Sequence, residues 1–185
     1  MIKKEILTGL FILLLVTVTG WLWLSPQGLT MAPTVTFKTI DGRQINLQDL
    51  RGNPVLVTFW ATTCPGCIKE MPHLISLYKE LSQDGFEIIG VAMSYDPPNQ
   101  VVELTKRRQI PYPISLDIDG SIARAFDNVM LTPTSFLIAP DGTILKRKIG
   151  EMDIDKLREQ IRDLLTHQLK ISDKEINNIN ETTDA

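Results

Sequence analysis

An apolar, β-rich run from Pro54 to Trp60 leads into Cys64-Pro65-Gly66-Cys67 and then into a helical repeat. In that repeat Ile68, Met71, Leu74, Ile75, Tyr78 and Leu81 recur at three- and four-residue steps. No other feature limits the fold as much. A strand that is apolar at consecutive positions has to be covered on both faces. The helical spacing puts Cys64 at the helix N-terminus and Cys67 one turn in, within reach of a disulfide. Unpaired N–H groups and the helix dipole there stabilise a thiolate. Cys64 is therefore the candidate nucleophile and Cys67, inside the helix and less exposed, the resolving thiol. Pro72 falls within the helix and predicts a kink.

These are the only two cysteines among 185 residues, which excludes a multi-disulfide scaffold. A zinc site needs four ligands and no second pair is present. His73 and His167 are the only histidines, and no metal or cofactor is expected. A structural disulfide stays open as a reading, although closing so short a loop removes little chain entropy. A redox-active dithiol is the leading one. The formal charge of −3 gives no electrostatic case for nucleic-acid binding, and 43% hydrophobic residues with 22% charged exclude wholesale disorder.

Outside the junction, Val35–Ile40 and Arg43–Leu47 flank Asp41-Gly42, a hairpin signal, and Leu47–Leu50 reads as one helical turn. Glu87–Met93 is a second buried strand. Asp96-Pro97 reads as an N-cap and first-turn proline opening a helix to Gln109. A short strand at Ile114–Leu116 and a short helix at Ile122–Phe126 follow. Thr134–Ala139 and Thr143–Ile149 form a hairpin about Pro140-Asp141-Gly142, and Asp153 caps a last helix with Ile154, Leu157, Ile161, Leu164 and Leu165 on one face. Lys106-Arg107-Arg108 reads as a solvated face. The strand–helix–strand unit predicts parallel pairing through a right-handed crossover and the late hairpin adds antiparallel strands. The expected class is α/β, a mixed central sheet flanked by helices.

The N-terminus sets the expected compartment. Ile6 to Leu24 is an uncharged run of 19 residues, where about 20 helical residues span a bilayer core. Lys3 and Lys4 precede it and no further Lys or Arg occurs before Lys38, so the N-terminus (1–5) is expected in the cytoplasm and the remainder outside. Trp21 and Trp23 fall where indoles favour the membrane interface. A cleaved signal peptide is the rival, but its apolar core is about 7–15 residues and ends in small side chains. The expectation is a single-pass anchor over 6–24, a linker over 25–34, one domain over 35–169 and a polar tail over 170–185, which frays or is disordered.

The residues around the cysteines resemble a known family. Phe59-Trp60-Ala61-Thr62-Thr63-Cys64-Pro65-Gly66-Cys67, followed by Lys69-Glu70-Met71-Pro72, is similar to the thioredoxin superfamily, and more narrowly to the membrane-tethered TlpA/ResA-like thiol–disulfide oxidoreductases. Leu131-Thr132-Pro133-Thr134-Ser135-Phe136-Leu137-Ile138 and Asp141-Gly142 extend the likeness, which spans Ala32 to Leu165, and Tyr112–Asp119 resembles the family's extra segment between the sheet halves. The resemblance implies a thioredoxin-like fold with an N-terminal hairpin and an internal insertion. It implies a Cys64–Cys67 redox disulfide and a cis Thr132-Pro133 bond beside it, with the Thr132 backbone free to pair with an extended substrate. Trp60, Pro65, Gly66 and Thr132 would line the substrate path.

Glu70 matches a glutamate of the family. A carboxyl about one turn beyond Cys67 can take the resolving thiol's proton; a solvated helix glutamate is the other reading. Two positions depart from the pattern: Thr58 stands where many thioredoxins carry a buried acid, and Thr63 where a second Trp is common. Pro65 brings no N–H to the Cys64 sulfur. The expected function is reduction of disulfides in specific partner proteins, apocytochrome c among them, on the periplasmic side of a bacterial inner membrane. A membrane thiol transporter of the DsbD/CcdA type would supply the electrons. Net oxidation or isomerisation is the alternative, and a copper metallochaperone a weaker one.

Overall fold

The computed structural model describes residues 30–166 together with Leu14 and Leu15. Except for those two leucines, the anchor expected over 6–24 lies outside the described residues, as does the tail over 170–185. Among the described residues no helix is long and apolar enough to cross a membrane.

The first strands among the described residues form a small antiparallel hairpin, β1 (Thr36–Lys38) and β2 (Gln44–Asn46), followed by a 3-10 turn at Leu47–Leu50. It then enters β3 (Val55–Trp60), buried at every position as its continuous apolar run requires. Helix α1 (Pro65–Leu81) returns the chain to β4 (Glu87–Ala92), which pairs parallel with β3; α2 (Pro98–Arg108) leads to the short β5 (Ile114–Leu116), parallel to β4. After α3 (Ser121–Ala125), β6 (Thr134–Ile138) pairs antiparallel on the far side of β3, with β7 (Ile144–Ile149) beyond it. Residues 154–166 form a last helix, α4. The sheet order is β5-β4-β3-β6-β7. The thioredoxin-like mixed sheet is therefore present, and β5 falls in the segment read as the family's insertion.

Right-handed crossovers explain the layering. Two successive steps in one direction across the sheet, β3 to β4 and β4 to β5, put both connecting helices on the same face. Leu74, Leu77 and Leu81 of α1, Val101 and Leu104 of α2, and Leu157 and Ile161 of α4 accordingly share one core with Leu56, Trp60 and Ile88. The other face is covered by Phe37 of the hairpin and by Ile122, Ala123 and Phe126, packed on Val57, Phe59, Val91 and Phe136. The hairpin reaches the β5 edge, where Ile40 N–H donates to Ile114 O and Ser115 Oγ to Lys38 O. Residues 30–32, in the segment read as a linker, are joined to the late hairpin: Met31 bridges Thr143, and Ala32 N–H donates to Gly142 O.

One expectation fails. Asp96 does not cap α2; Pro97 holds the N-cap position with no side-chain hydrogen bond, and Pro98 opens the helix. The Asp96 carboxylate is turned towards the redox site instead.

Gly90 lets β4 pass close to the tryptophan ahead of the cysteines. A Cβ there would lie 2.6 Å from Ile114 Cδ1 and 3.2 Å from Trp60 Nε1. Gly90→Ala is expected to destabilise the fold by about 1–3 kcal/mol, the usual scale of overpacking. An unchanged urea midpoint would show that Ile114 yields freely.

Candidate active site

Cys64 is the N-cap of α1, with extended backbone (φ −92°, ψ 108°). That conformation aims its side chain back over the first turn, where Sγ accepts the Cys67 N–H at 3.2 Å. Pro65 follows at the first helical position, where its missing N–H leaves no intrahelical bond unmade. The two sulfurs form a disulfide across a Cα–Cα distance of 5.3 Å. Both cysteines are buried, and Cys64, the one expected to be the nucleophile, is the less buried residue at 8% exposed against 4% for Cys67.

The loop delivering Cys64 is held by a residue that the sequence marks only as a helix cap. Buried Asp96, beyond the end of β4, accepts from Thr62 N–H at 2.6 Å and from Thr62 Oγ1 at 2.5 Å. The Asp-Pro-Pro sequence offered a local N-cap, and only tertiary structure shows that the carboxylate is engaged 34 residues away.

Facing Gly66 is Pro133, after a cis peptide bond from Thr132. A Cβ built on Gly66 would lie 3.5 Å from Pro133 Cδ and 3.6 Å from Glu151 Oε1, so the dithiol turn packs close against both residues. Thr132 Oγ1 is 3.4 Å from Tyr95 Oη. The three residues after β7 each fasten a different part of the site. Gly150 N–H donates to Pro133 O at 2.8 Å, Glu151 pairs with Lys69 at 2.8 Å, and Met152 N–H donates to Glu70 Oε1 at 2.6 Å. No signal in the sequence identified this strap.

Glu70 is buried, not solvated, and lines a small cavity with Cys67, Trp60, Thr58, Tyr112 and Pro133. Thr58, at the place of the family's buried acid, is also buried and accepts from Ser135 Oγ at 2.9 Å, so no charge enters from β3. Trp60 Nε1, buried here, has no hydrogen-bond partner among the described residues. His73 and Thr63 are exposed, and His167 lies outside the described residues. Burial raises the Glu70 pKa above its ordinary value; the Met152 N–H opposes this, the Glu151 charge adds to it and His73 opposes it. Burial, reinforced by Glu70, holds the Tyr112 phenol well above the usual tyrosine range.

These shifts carry a stability prediction. A carboxyl whose pKa is raised by folding binds its proton more tightly in the folded state. Its contribution is complete below the unfolded value of about 4.3 and is lost as pH rises through the folded value. Glu70→Gln keeps an oxygen for Met152 N–H and removes the charge. The oxidised wild type should therefore lose stability more steeply than the variant as pH rises from about 4. Identical pH profiles of the urea midpoint would show that Glu70 ionises without penalty.

Comparison with known proteins places this geometry among relatives. Residues 29–147 match the model of the AhpC/TSA family. Over 134 residues the chain is 33% identical to the thiol-disulfide oxidoreductase ResA of Bacillus thuringiensis subsp. konkukian, covering 72% of this chain and 76% of that protein. It is 32% identical over 165 residues to sporulation thiol-disulfide oxidoreductase A of Bacillus subtilis, covering 86% and 98%. A crystal structure of a thioredoxin-family thiol:disulfide interchange protein from Chlorobium tepidum superposes with a TM-score of 0.68 at 27% identity, covering 74% of this chain and 96% of that one.

Proposed function

The chain belongs to the AhpC/TSA family and is a thiol–disulfide oxidoreductase of the ResA/StoA type, and from that premise we propose that it is an exported, membrane-tethered reductase of disulfides in specific partner proteins. The observation that carries the reading is the placement of Cys64 at the N-terminus of α1, with Cys67 and the buried Glu70 facing one cavity.

In the reduced protein the Cys64 thiolate attacks one sulfur of the partner's disulfide. The partner's other sulfur leaves as a thiolate and takes a proton, and a mixed disulfide joins the two proteins. Cys67 then passes its proton to Glu70, which its buried setting makes a better acceptor than an exposed carboxylate. The Cys67 thiolate attacks Cys64 Sγ, the partner leaves with both sulfurs reduced, and the Cys64–Cys67 disulfide remains. Two electrons have moved to the partner. A membrane dithiol carrier of the DsbD/CcdA type would restore them, since an exported domain has no access to cytosolic reductants. Apocytochrome c, whose haem-binding cysteines must be reduced, is a fitting substrate.

Charge supports the reductive direction. The helix N-terminus favours the Cys64 thiolate, but Pro65 contributes no N–H, and Glu151 and an ionised Glu70 oppose negative charge at the dithiol. A modestly stabilised thiolate makes a reductant, not a strong oxidant. The compartment rests on Lys3 and Lys4 ahead of the uncharged run. Full-length protein in spheroplasts should lose its soluble domain to added protease, and Cys67→Ala in the same cells should carry partners as covalent adducts. A protected domain would place the dithiol in the cytoplasm, and an absence of adducts would argue against protein substrates.

A further inference from the structure

Cys64 reaches the N-terminus of α1 through a single tight turn. Its N–H donates to Ala61 O at 3.1 Å, which closes the turn over Thr62 and Thr63. The turn buries little of its own, since Thr62 is half-buried and Thr63 exposed. In the oxidised protein the bond to Cys67 also holds the first cysteine in place. In the reduced protein, and in a mixed disulfide with a partner, that bond is absent, and some other attachment has to keep Sγ over the first turn of the helix.

Asp96 makes such an attachment. It is 4% exposed and does not cap α2. One carboxylate oxygen accepts from Thr62 N–H at 2.6 Å and the other from Thr62 Oγ1 at 2.5 Å, so both donors of one turn residue are engaged. The clamp stands on fixed backbone. Asp96 N–H donates to Met93 O at 2.9 Å, and Met93 N–H to Trp60 O at 3.0 Å, which ties the clamp to the end of β3. Pro97 and Pro98 follow; their rings fix φ, and the residue before a proline is held to extended backbone. On the side of α2, Gln100 Oε1 is 3.3 Å from Thr62 Oγ1. A negative charge would oppose a nearby thiolate, so the hydrogen bonds, not the charge, are what the site can use.

We infer that Asp96 is a positioning residue for the nucleophile: through Thr62 it keeps Cys64 at the N-cap of α1 while the disulfide is open, so that Sγ stays against the Cys67 N–H. The inference rests on the oxidoreductase reading above and deepens it by naming what holds the attacking sulfur in the state that attacks. A sulfur oriented before the partner arrives does not have to be ordered during the reaction.

The test compares Asp96→Ala, Asp96→Asn and Thr62→Val with the wild type as pre-reduced full chains. Second-order rate constants for alkylation by iodoacetamide are followed across pH, with the modified sulfur located by mass spectrometry. Urea midpoints of the oxidised proteins are read alongside. Glu70, Lys69 and Glu151 near the dithiol, and Glu103 and Arg107 beside the turn, stay unchanged in every variant. Asp96→Ala leaves Thr62 unheld and should raise the Cys64 pKa by about one unit, slowing alkylation at neutral pH about tenfold. Thr62→Val keeps the N–H bond, loses the hydroxyl bond and should slow it about threefold. Asp96→Asn offers a carbonyl to Thr62 N–H and an amide N–H to Thr62 Oγ1, whose own proton can turn to Gln100. It should therefore react at the wild-type rate or faster. A residue that only supported the fold would lower the urea midpoint and leave the pH profile of the folded protein in place. An Asp96→Ala profile that superposes on the wild type would overturn the inference, as would a Thr62→Val profile that does so where the alanine variant fails to fold. An Asp96→Asn protein as slow as Asp96→Ala would also overturn it, since charge and not position would then be at work. A reduced wild type inert towards both iodoacetamide and 4,4′-dithiodipyridine would overturn the dithiol reading itself, and the inference with it.

Discussion

Cys64→Ser protein will lose reduction of a protein disulfide such as those of insulin by about 10³-fold or more, the scale on which removal of a nucleophile acts. Cys67→Ser will behave differently: it will react once and stop as a covalent mixed disulfide. The asymmetry follows from position. Cys64 is the N-cap, less buried than Cys67, with its Sγ receiving an N–H from the first turn of α1. Cys67 is inside the helix, against the cavity it shares with Glu70. Once a partner is bound to Cys64, only Cys67 is placed to release it. Non-reducing electrophoresis with either variant measures the outcome. Equal adduct formation by both would mean that the roles of the two sulfurs are wrongly assigned.

Phe59→Ala will destabilise the domain by about 3–5 kcal/mol, as loss of a buried aromatic does. That is a large share of the stability of a typical domain, about 5–15 kcal/mol. Phe59 is fully buried in β3 and meets Phe126 and Phe136 edge-on, with ring centroids 5.5 and 6.0 Å away. The two partners come from the segment after α3 and from β6, so the substitution loosens the face of the sheet opposite α1. Trp60, its neighbour in sequence, points into the other core with the cysteines. The protein that remains folded should therefore keep its Cys64 reactivity while its urea midpoint falls. A loss of reactivity without a loss of stability would tie this face to the chemistry, contrary to the layering.

The parts of the molecule legible in the sequence are those specified over short distances. The consecutive apolar residues of β3, the three- and four-residue repeat of α1 and the turn at Asp141-Gly142 each state their own conformation, and the cysteine spacing states theirs relative to the helix. Pro133 is legible only through the family resemblance, because a proline ahead of a strand has an ordinary trans reading. Glu70 could be placed on the right face of its helix, but its burial depends on Met152, 82 residues later. Asp96 reads as a cap because Asp-Pro satisfies a local rule, while the carboxylate is claimed by Thr62, 34 residues earlier. The strap from Gly150 to Met152 carries no local pattern; two of its three contacts are made by backbone N–H groups, which every residue but proline possesses.

The central claim is that this dithiol gives electrons to its partners. It is tested most directly by equilibrating the Cys64–Cys67 pair with glutathione buffers of known poise and reading the fraction oxidised. A helix N-terminus tempered by Pro65, Glu70 and Glu151 predicts a potential nearer thioredoxin's value of about −270 mV than DsbA's of about −120 mV, with a Cys64 pKa nearer about 7 than about 3.5. A potential close to that of DsbA together with a Cys64 pKa below about 5 would contradict the account and make the protein an oxidant of its partners.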